Sequence, residues 1–255
     1  LKVDKAARYI GGEVNSVMKD KNEVEIRFAM CFPDVYEIGM SNLGMMILYN
    51  MFNQREDVWC ERLFSPWPDL DKVMREQNIP LFALESQEPI RDFDFLGITL
   101  GYEMCYTNIL QVLDLSGIPL KSADRGEDFP IVIGGGACAY NPEPLAPFFD
   151  LFYIGEGETV YDALFDAYKA NKKAGGSRRD FLLAAAKIPG IYVPSLYEVT
   201  YKEDGTIASF APTEAGVPEK VQKQLIIDME KEYRAVEAPV VPHIKATQDR
   251  VTLEI

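Results

Sequence analysis

Five short apolar runs, separated by segments with helical spacing, constrain the fold of this chain more than any other feature. The runs cover residues 24–30, 58–64, 93–100, 131–133 and 151–154. Apolar runs of this length are typical of buried strands, while the segments between them repeat apolar residues about every 3.6 positions. Strands that alternate with helices predict a parallel sheet that helices cover on both faces.

One topology accommodates this alternation most simply. Because strand-helix-strand connections are right-handed, we expect a doubly wound, mainly parallel, flavodoxin-like α/β sheet. Its helices are predicted after Ser41, which can cap the first of them, and at residues 70–77, 106–115, 158–170 and 178–187. Residues 81–84 are predicted to form a short strand or an extended edge.

The sequence changes character after Gly190. Residues 191–193, 197–201 and 207–210 are rich in β-branched and aromatic residues, and Asp204-Gly205 lies between the last two segments. An Asp-Gly pair between such segments is typical of a hairpin turn. We therefore expect a small β-hairpin unit after the sheet.

The remaining C-terminal segments leave alternatives open. Residues 221–233 fit either a helix or extended chain, and residues 239–242 form a stiff connector with a proline at each end. Residues 250–255 alternate like a strand that either begins another domain or closes the small β unit. The predicted units are an N-terminal extension, a sheet domain, a hairpin with linker and the start of a further domain, at residues 1–22, 23–190, 191–238 and 239–255.

Charge and rare residue types exclude several classes of function. With 40 acidic against 26 basic residues, the formal net charge of −14 disfavours nucleic acid and anionic membranes as partners. The single histidine, His243, and four isolated cysteines argue against a histidine triad and a self-contained metal site. We therefore predict no catalytic and no metal-ligating residue in this chain. Scattered thiols, with no leader-like start and no membrane-spanning run, predict a cytoplasmic protein.

Four loops follow predicted strands and are candidates for a ligand site. They cover residues 31–42, 100–107, 134–141 and 155–159, and all are rich in glycine or small polar residues. Ligands of open α/β sheets bind beyond the carboxyl ends of the strands, near the point where strand order reverses. Small residues there suit a broad ligand that approaches the backbone closely.

The strongest signal among them is Gly134-Gly135-Gly136-Ala137, which directly follows a buried strand. Three glycines remove every Cβ from the end of that strand, which favours close approach of a ligand. The alternative is a tight turn that needs positive φ. No Gly-Lys-Ser/Thr follows and the dinucleotide spacing is missing, so neither a P-loop nor a dinucleotide fingerprint is indicated.

Two further loops carry carboxylates. Gly155-Glu156-Gly157-Glu158 opens a helix, where acidic residues favour the positive helix end but repel a phosphate. It is either a ligand loop or an ordinary charged first turn. Asp34 and Glu37 have the chemistry for acid–base catalysis, but no nucleophile accompanies them in the sequence, which favours capping and turn roles.

Two longer strings resemble a known family. Residues 133–143 read Ile-Gly-Gly-Gly-Ala-Cys-Ala-Tyr-Asn-Pro-Glu, and residues 150–158 read Asp-Leu-Phe-Tyr-Ile-Gly-Glu-Gly-Glu. In this order they resemble the N-terminal domain of B12-binding radical SAM proteins, in which a Gly-Gly loop with Pro-Glu precedes a strand ending in Gly-Glu-Gly-Glu. Residues 8–13 and 32–41 are similar to one branch of that family.

The resemblance implies a Rossmann-like, cobalamin-binding domain ahead of a radical SAM barrel in the same chain, which is its expected partner. That barrel holds a [4Fe–4S] cluster and S-adenosylmethionine through a C-x-x-x-C-x-x-C motif. The motif does not occur in this sequence. Residues 250–255 resemble the first barrel strand, so the chain is expected to stop before the cluster loop. Radical chemistry then belongs to the full-length protein.

One position departs from mutase-type cobalamin domains, which carry Asp-x-His-x-x-Gly with the histidine on cobalt. The matching residues here are Asp34, Tyr36 and Gly39. A phenol, with a pKa of about 10, is a poor cobalt ligand at neutral pH. If cobalamin binds, its cobalt is predicted to have no protein histidine below it. The substitution equally allows that cobalamin binding has been lost.

The predicted cofactor-binding residues come from the four loops. The benzimidazole tail of cobalamin is expected to lie along the third and fourth strands. The full set is Asp34, Val35, Tyr36, Glu37, Gly39, Ser41, Asn42, Thr99, Gly101, Tyr102, Thr107, Gly134, Gly135, Gly136, Ala137, Tyr140, Gly155, Glu156 and Gly157.

Three functions are compatible with these observations. The chain is the cobalamin-binding domain of a radical SAM enzyme, a Rossmann-like module that docks on the barrel without B12, or a flavodoxin-like binder of another cofactor. Binding of hydroxocobalamin separates the first from the other two. The sequence indicates neither the substrate nor the reaction.

Overall fold

A computed structural model describes residues 2–228, 236 and 238–241 of the chain. Its strands are β1 Ile26–Phe32, β2 Val58–Phe64, β3 Phe95–Thr99, β4 Ile131–Gly135, β5 Leu151–Tyr153, β6 Ile191–Tyr192, β7 Tyr197–Tyr201 and β8 Ile207–Pro212. The α-helices are α1 Tyr36–Gly39, α2 Leu43–Asn53, α3 Pro68–Gln77, α4 Tyr106–Leu115, α5 Tyr161–Lys173 and α6 Arg178–Ala185. Single turns of 3₁₀ helix cover Ala6–Tyr9, Ile90–Asp92, Glu103–Cys105, Ser122–Asp124, Ala137–Tyr140, Ala146–Phe148 and Pro194–Leu196.

The main sheet has the order β2-β1-β3-β4-β5-β6. Its first five strands are parallel, and β6 adds antiparallel to β5 at the edge. The strand order reverses between β1 and β3, as in flavodoxin-like sheets. The separate pair β7 and β8 forms an antiparallel hairpin. The predicted fold class, a doubly wound, mainly parallel sheet with a small hairpin, is confirmed.

Alternating side chains of each strand build two cores. In β1, Phe28 and Met30 face α2, α5 and α6, whereas Ala29 and Cys31 face the core that contains α3 and α4. Phe28 is the centre of an aromatic cluster, with ring centroids 5.0 Å from Phe52 and 5.9 Å from Phe165. Full burial of one such ring stabilises the fold by roughly 1.5–3 kcal/mol.

Several element boundaries differ from the sequence prediction. The cap of α2 is Asn42, whose side chain accepts from the Met45 amide at 2.8 Å, and not Ser41. Residues 81–84 form only an isolated bridge, from Phe82 to Pro89. The pair Ile191–Tyr192 lies in the main sheet and not in the hairpin, so that sheet extends past Gly190. Helix α5 begins at Tyr161, three positions after the predicted start.

The N-terminal segment, whose role the sequence left unexplained, packs across the edge of the sheet beside β2. Glu13 lies against the fully buried Arg62 of β2, with Oε2 2.7 Å from Nη2 and Oε1 3.0 Å from Nη1. Arg62 Nε also donates to Glu85 at 2.7 Å. A buried guanidinium needs such partners because an unpaired charge is costly inside a protein. The segment therefore completes a buried ion cluster.

Residues beyond the hairpin return to the main sheet. Gln224 forms a parallel bridge with Gly155, its amide donating to the Ile154 carbonyl at 3.0 Å and its carbonyl accepting from the Glu156 amide at 3.1 Å. The predicted strand at residues 250–255 lies outside the described residues. Among the residues that the structure describes, no helix combines the length and apolar character needed to cross a membrane.

Candidate functional site

A cavity of about 440 Å³ opens at the carboxyl edge of the sheet, where strand order reverses. Strands β1, β3 and β4 form its floor, and α2, α5 and residues 155–158 form its walls. Small-molecule sites commonly have volumes of roughly 300–1,000 Å³ and favour this position in open α/β sheets. The cavity is therefore the candidate site.

Two glycines leave the floor of the cavity open. A Cβ built on Gly135, the last residue of β4, would lie 3.9 Å from the Tyr153 carbonyl oxygen and 4.0 Å from the Tyr161 hydroxyl. A Cβ on Gly101 would meet no atom within 4 Å. Because both positions line the cavity, larger residues there would fill it. The missing side chains create the space.

Two other glycines hold the rim in conformations that exclude larger residues. Gly136 has φ +114°, and a Cβ there would lie 2.9 Å from the Leu100 carbonyl oxygen. Gly155 has φ +130°, and a Cβ there would lie 2.2 Å from the Gln224 carbonyl oxygen. Both values of φ strongly favour glycine. The rim is thus shaped by backbone contacts.

The interior of the cavity is aromatic and nearly neutral. Phe28, Tyr153 and Tyr161 line it together with Met30 and Leu48. Among the described lining residues, Glu158 is the one with an ionisable acidic or basic group other than tyrosine. Such a surface favours an uncharged, flat apolar group over a phosphate.

Eight of the predicted binding residues line this cavity: Asn42, Thr99, Gly101, Gly135, Gly136, Ala137, Gly155 and Gly157. Gly134 points to the opposite face of the sheet, where a Cβ would lie 2.7 Å from the Phe152 ring and 2.9 Å from Leu100. The triple glycine therefore serves two purposes. One member allows close packing, and the other two border the cavity.

The predicted first loop is largely occupied by contacts within the protein. Tyr36 Oη donates to Glu13 Oε1 at 2.9 Å, and Glu37 pairs with Arg8 at 2.8 Å. Burial and the hydrogen bond to Glu13 raise the pKa of Tyr36 to about 12. The Ser41 hydroxyl donates to the Glu37 carbonyl at 2.8 Å. None of these three residues lines the cavity.

Asp34, Val35 and Gly39 also lie away from the cavity. Asp34 accepts from the Val35 amide at 2.7 Å, and both residues line a separate hollow of about 180 Å³ beside Trp67. A Cβ on Gly39 would lie 2.2 Å from the Phe64 ring, so this glycine allows α1 to pack closely on β2. Asp34 and Glu37 thus contact other groups of the protein, and neither side chain caps α1, whose N-cap Val35 has no side-chain hydrogen bond.

The other predicted residues surround the cavity without lining it. Three of them are exposed: Tyr102 in the loop after β3, Thr107 in the first turn of α4, and Tyr140 in the 3₁₀ turn after β4. Lys223 Nζ lies 5.0 Å from the centroid of the Tyr140 ring. The Glu156 carboxylate accepts from the Ile226 amide, which fixes residues 224–226 against the rim. Glu156 therefore anchors the chain beyond the hairpin.

Sequence reasoning missed several lining residues: Phe28, Met30, Gly44, Met45, Leu48, Gly97, Ile98, Ile133, Tyr153 and Tyr161. Most are apolar residues of strands and helices that the periodicity assigns to the core. Glu158 also lines the cavity and lies in the candidate loop 155–159, although it was not among the predicted binding residues. Tyr161 had a usable signal, because it opens the helix that directly follows the Gly155–Glu158 loop. A tyrosine at the start of a helix beside a glycine loop is well placed to meet a ligand.

The site offers no cluster of metal ligands within the described residues. Cys31, Cys60 and Cys105 are free thiols buried in the fold, and Cys138 is half-buried. Burial raises the pKa of Cys31 and Cys60, which keeps both thiols protonated.

A family model for the N-terminal region of radical SAM proteins matches residues 44–194. That match covers more than half of the chain. The chain belongs to this radical SAM family. The matched range contains all the residues that line the cavity except Phe28, Met30 and Asn42.

One curated relative is similar to this chain over part of its length. An uncharacterized protein of Methanocaldococcus jannaschii is 28% identical over 131 residues, which cover 51% of this chain and 24% of the relative. The chain thus spans about a quarter of that curated relative.

Two solved structures are also similar. The cobalamin-dependent S-adenosylmethionine radical enzyme OxsB is 15% identical with a TM-score of 0.42, over 71% of this chain and 21% of that one. The radical S-adenosylmethionine methyltransferase TsrM from Kitasatospora setae is 15% identical with a TM-score of 0.37, over 77% and 36%.

Proposed function

We propose that this chain is the cobalamin-binding N-terminal domain of a radical SAM enzyme, with the benzimidazole end of the corrinoid's nucleotide tail in the glycine-floored cavity. The observation that carries the proposal is the cavity itself. It is apolar, nearly neutral and floored by Gly101 and Gly135 at the point where strand order reverses. Membership of the radical SAM family supports this choice of ligand class.

The residues that line the cavity fit the benzimidazole of cobalamin. A benzimidazole ring is flat and uncharged at neutral pH, and it matches the aromatic side chains of Phe28, Tyr153 and Tyr161. Thr99, Gly101 and Gly135 would border the tail along β3 and β4. A phosphate-rich cofactor is disfavoured because the described lining residues include no lysine or arginine.

The rim would receive the corrin ring. Gly136, Ala137 and Gly157 border the mouth of the cavity without large side chains, which leaves space for a broad disc. When bound, cobalamin supplies a cobalt centre for methyl or electron transfer in the full-length protein. We expect the radical SAM barrel, its cluster and S-adenosylmethionine to belong to another part of that protein.

The cobalt would have no protein imidazole below it from the first loop. Tyr36 takes the place of the histidine there, and its hydroxyl already donates to Glu13 at 2.9 Å. Its pKa of about 12 keeps the phenol neutral at physiological pH. Tyr36 would therefore hold the loop and leave the metal to other ligands.

The proposal is tested by titrating the chain with hydroxocobalamin and following its visible absorption bands. We expect a saturable shift for the wild type and affinity at least about tenfold weaker for Gly135→Leu, a loss of about 1.4 kcal/mol. The matched control is Gly126→Leu, because Gly126 is exposed, has open space around it and lies outside the cavity. Thermal unfolding of both variants checks that they fold.

Other results would favour the alternatives. Absence of a shift with wild-type protein contradicts the proposal and favours a docking module that works without B12. A shift with FMN or a nucleotide, but not with hydroxocobalamin, favours another cofactor. Equal affinity of wild type and Gly135→Leu would mean that cobalamin binds elsewhere.

A further inference from the structure

Tyr161 has an unusual place in the cavity. It is the first residue of α5, it lines the cavity, and only 7% of its surface is exposed. Its hydroxyl lies 4.0 Å from the point where a Cβ on Gly135 would stand. The phenol oxygen therefore borders the open floor of the cavity.

The hydroxyl of Tyr161 has no hydrogen-bond partner among the described residues. Six other buried or half-buried tyrosines behave differently. Their hydroxyls donate to a carboxylate or a carbonyl, in Tyr36, Tyr49, Tyr153, Tyr168, Tyr192 and Tyr197. Within the described residues, the fully enclosed side-chain atoms without a partner are Ser116 Oγ and Arg178 Nε, and the Tyr161 oxygen is not one of them. The Tyr161 hydroxyl therefore faces the open space of the cavity, where a ligand can supply the missing partner.

Packing does not explain it. The Tyr161 ring lies 4.7 Å from Phe52, 6.2 Å from Phe28 and 5.8 Å from Phe165, measured between ring centroids. Phenylalanine would make these ring contacts equally well and without an unpaired hydroxyl. Burial raises the pKa of Tyr161, so the hydroxyl keeps its proton and can donate a hydrogen bond to an acceptor.

We propose that the Tyr161 hydroxyl is a specificity-determining donor for the group inserted in the cavity, which it recognises through the unsubstituted nitrogen of a heteroaromatic ring. This inference rests on the proposed function, in which the inserted ring is the benzimidazole of cobalamin. That ring has one nitrogen bound to ribose. The other is an acceptor whenever it does not coordinate cobalt. Tyr161 selects ligands that carry the complete nucleotide tail.

The test compares Tyr161→Phe with the wild type, using hydroxocobalamin and cobinamide, a corrinoid without the benzimidazole nucleotide. Loss of one hydrogen bond is expected to weaken hydroxocobalamin binding about tenfold. Affinity for cobinamide should not change. The control is Tyr168→Phe on the same helix, whose hydroxyl donates to Asp94 at 2.9 Å outside the cavity. That control should lower thermal stability and leave both affinities unchanged.

Thermal unfolding without ligand gives a second measurement. Tyr161→Phe should melt close to the wild-type temperature, because the hydroxyl faces the cavity and the substitution removes no hydrogen bond within the described residues. Equal hydroxocobalamin affinity of wild type and Tyr161→Phe would overturn this inference and leave the proposed function intact. Weaker binding of cobinamide, or a lower melting temperature, would show that Tyr161 only supports the fold. If the wild type binds no corrinoid, both proposals fail.

Discussion

Two neighbouring regions at the carboxyl edge of the sheet differ in how their polar groups are used. The closed corner consists of Glu13, Tyr36, Tyr49, Arg62 and Glu85, and the open cleft is the cavity above β3 and β4. In the closed corner, hydrogen bonds of 2.6 to 3.0 Å join all five residues. In the open cleft, glycines remove side chains, and the Tyr161 hydroxyl, which faces the cavity, has no partner among the residues that the structure describes.

The difference indicates where a ligand can bind. Arg62 donates to both Glu13 and Glu85, so the charges of the closed corner are already paired. Burial alone would raise the pKa of Glu13, but the hydrogen bonds and charge of Arg62 lower it below its ordinary value. Paired groups have little capacity for further bonds. Unfilled space and an unpaired donor mark the site better than a concentration of polar residues does.

The largest effect that we predict concerns the closed corner. Arg62→Met leaves Glu85 buried without its cation and releases Glu13 from the edge of the sheet. Loss of one member of a buried ion pair typically costs about 3–5 kcal/mol. We expect a decrease of that size in the free energy of unfolding, measured by urea denaturation.

A surface ion pair provides the control for that variant. Arg75 is half exposed and pairs with Asp71 at 2.7 Å, so Arg75→Met should cost no more than about 1 kcal/mol. Similar losses for the two variants would mean that the closed corner is not a special source of stability. The closed corner would then not differ from the protein surface in how much its paired charges stabilise the fold.

The next largest effect concerns the rim of the open cleft. Gly155→Ala places a Cβ against the Gln224 carbonyl, at a φ of +130° that strongly favours glycine. Backbone strain of this kind costs about 1–3 kcal/mol. We expect residues 224–226 to detach from the rim. Hydrogen exchange should show loss of protection at the Gln224 and Ile226 amides.

A second glycine with positive φ, Gly205, distinguishes the effect of backbone strain from the effect of a steric clash. Gly205 has φ +81° and open space around it, so Gly205→Ala carries strain without a clash. It should lower stability and leave the amides of residues 224–226 protected. Unchanged protection in Gly155→Ala would show that the bridge to Gln224 does not depend on this glycine.

The sequence allowed the sheet to be predicted because its strands are continuous apolar runs. Strand β2 has the predicted bounds, residues 58–64, and all seven of its residues are buried. The two-residue strand Ile191–Tyr192 is too short to carry a pattern, so its place in the sheet is set by pairing with β5. The spacing of apolar residues predicts which residues are buried better than it predicts which strands pair with each other.

The candidate site could be predicted only in part, for the same reason. Glycines after β3, β4 and β5 marked the cavity because missing side chains are visible in a sequence. The carboxylates and phenol of residues 34–37 looked equally promising. Their partners are distant in the chain, since Tyr36 and Glu13 are separated by 23 positions and Glu37 and Arg8 by 29. Tyr161 was missed because its ring belongs to the aromatic core.

The smallest effect concerns helix α5, which runs from the open cleft to an ion pair just before the start of β2. Tyr161 begins this helix at the open cleft, whereas Lys169 near its other end pairs with Asp57. The hydrogen bond from Arg55, together with Lys169, lowers the pKa of Asp57 from 3.8 to about 2. A carboxyl whose pKa is lower in the folded state stabilises the protein above its ordinary pKa. That contribution is lost as the pH falls through its folded value.

Asp57→Asn should therefore reduce stability by no more than about 1 kcal/mol at neutral pH, because solvent screens the pair. The difference from wild type should shrink as the pH falls from about 4 to about 2, in urea denaturation at several pH values. Asp162→Asn, which removes a more exposed partner of Arg55, should have little effect at any pH. A pH-independent difference would show that the Asp57 charge does not hold α5. Affinity for a ligand of the open cleft should stay unchanged, since the ion pair lies outside the cavity.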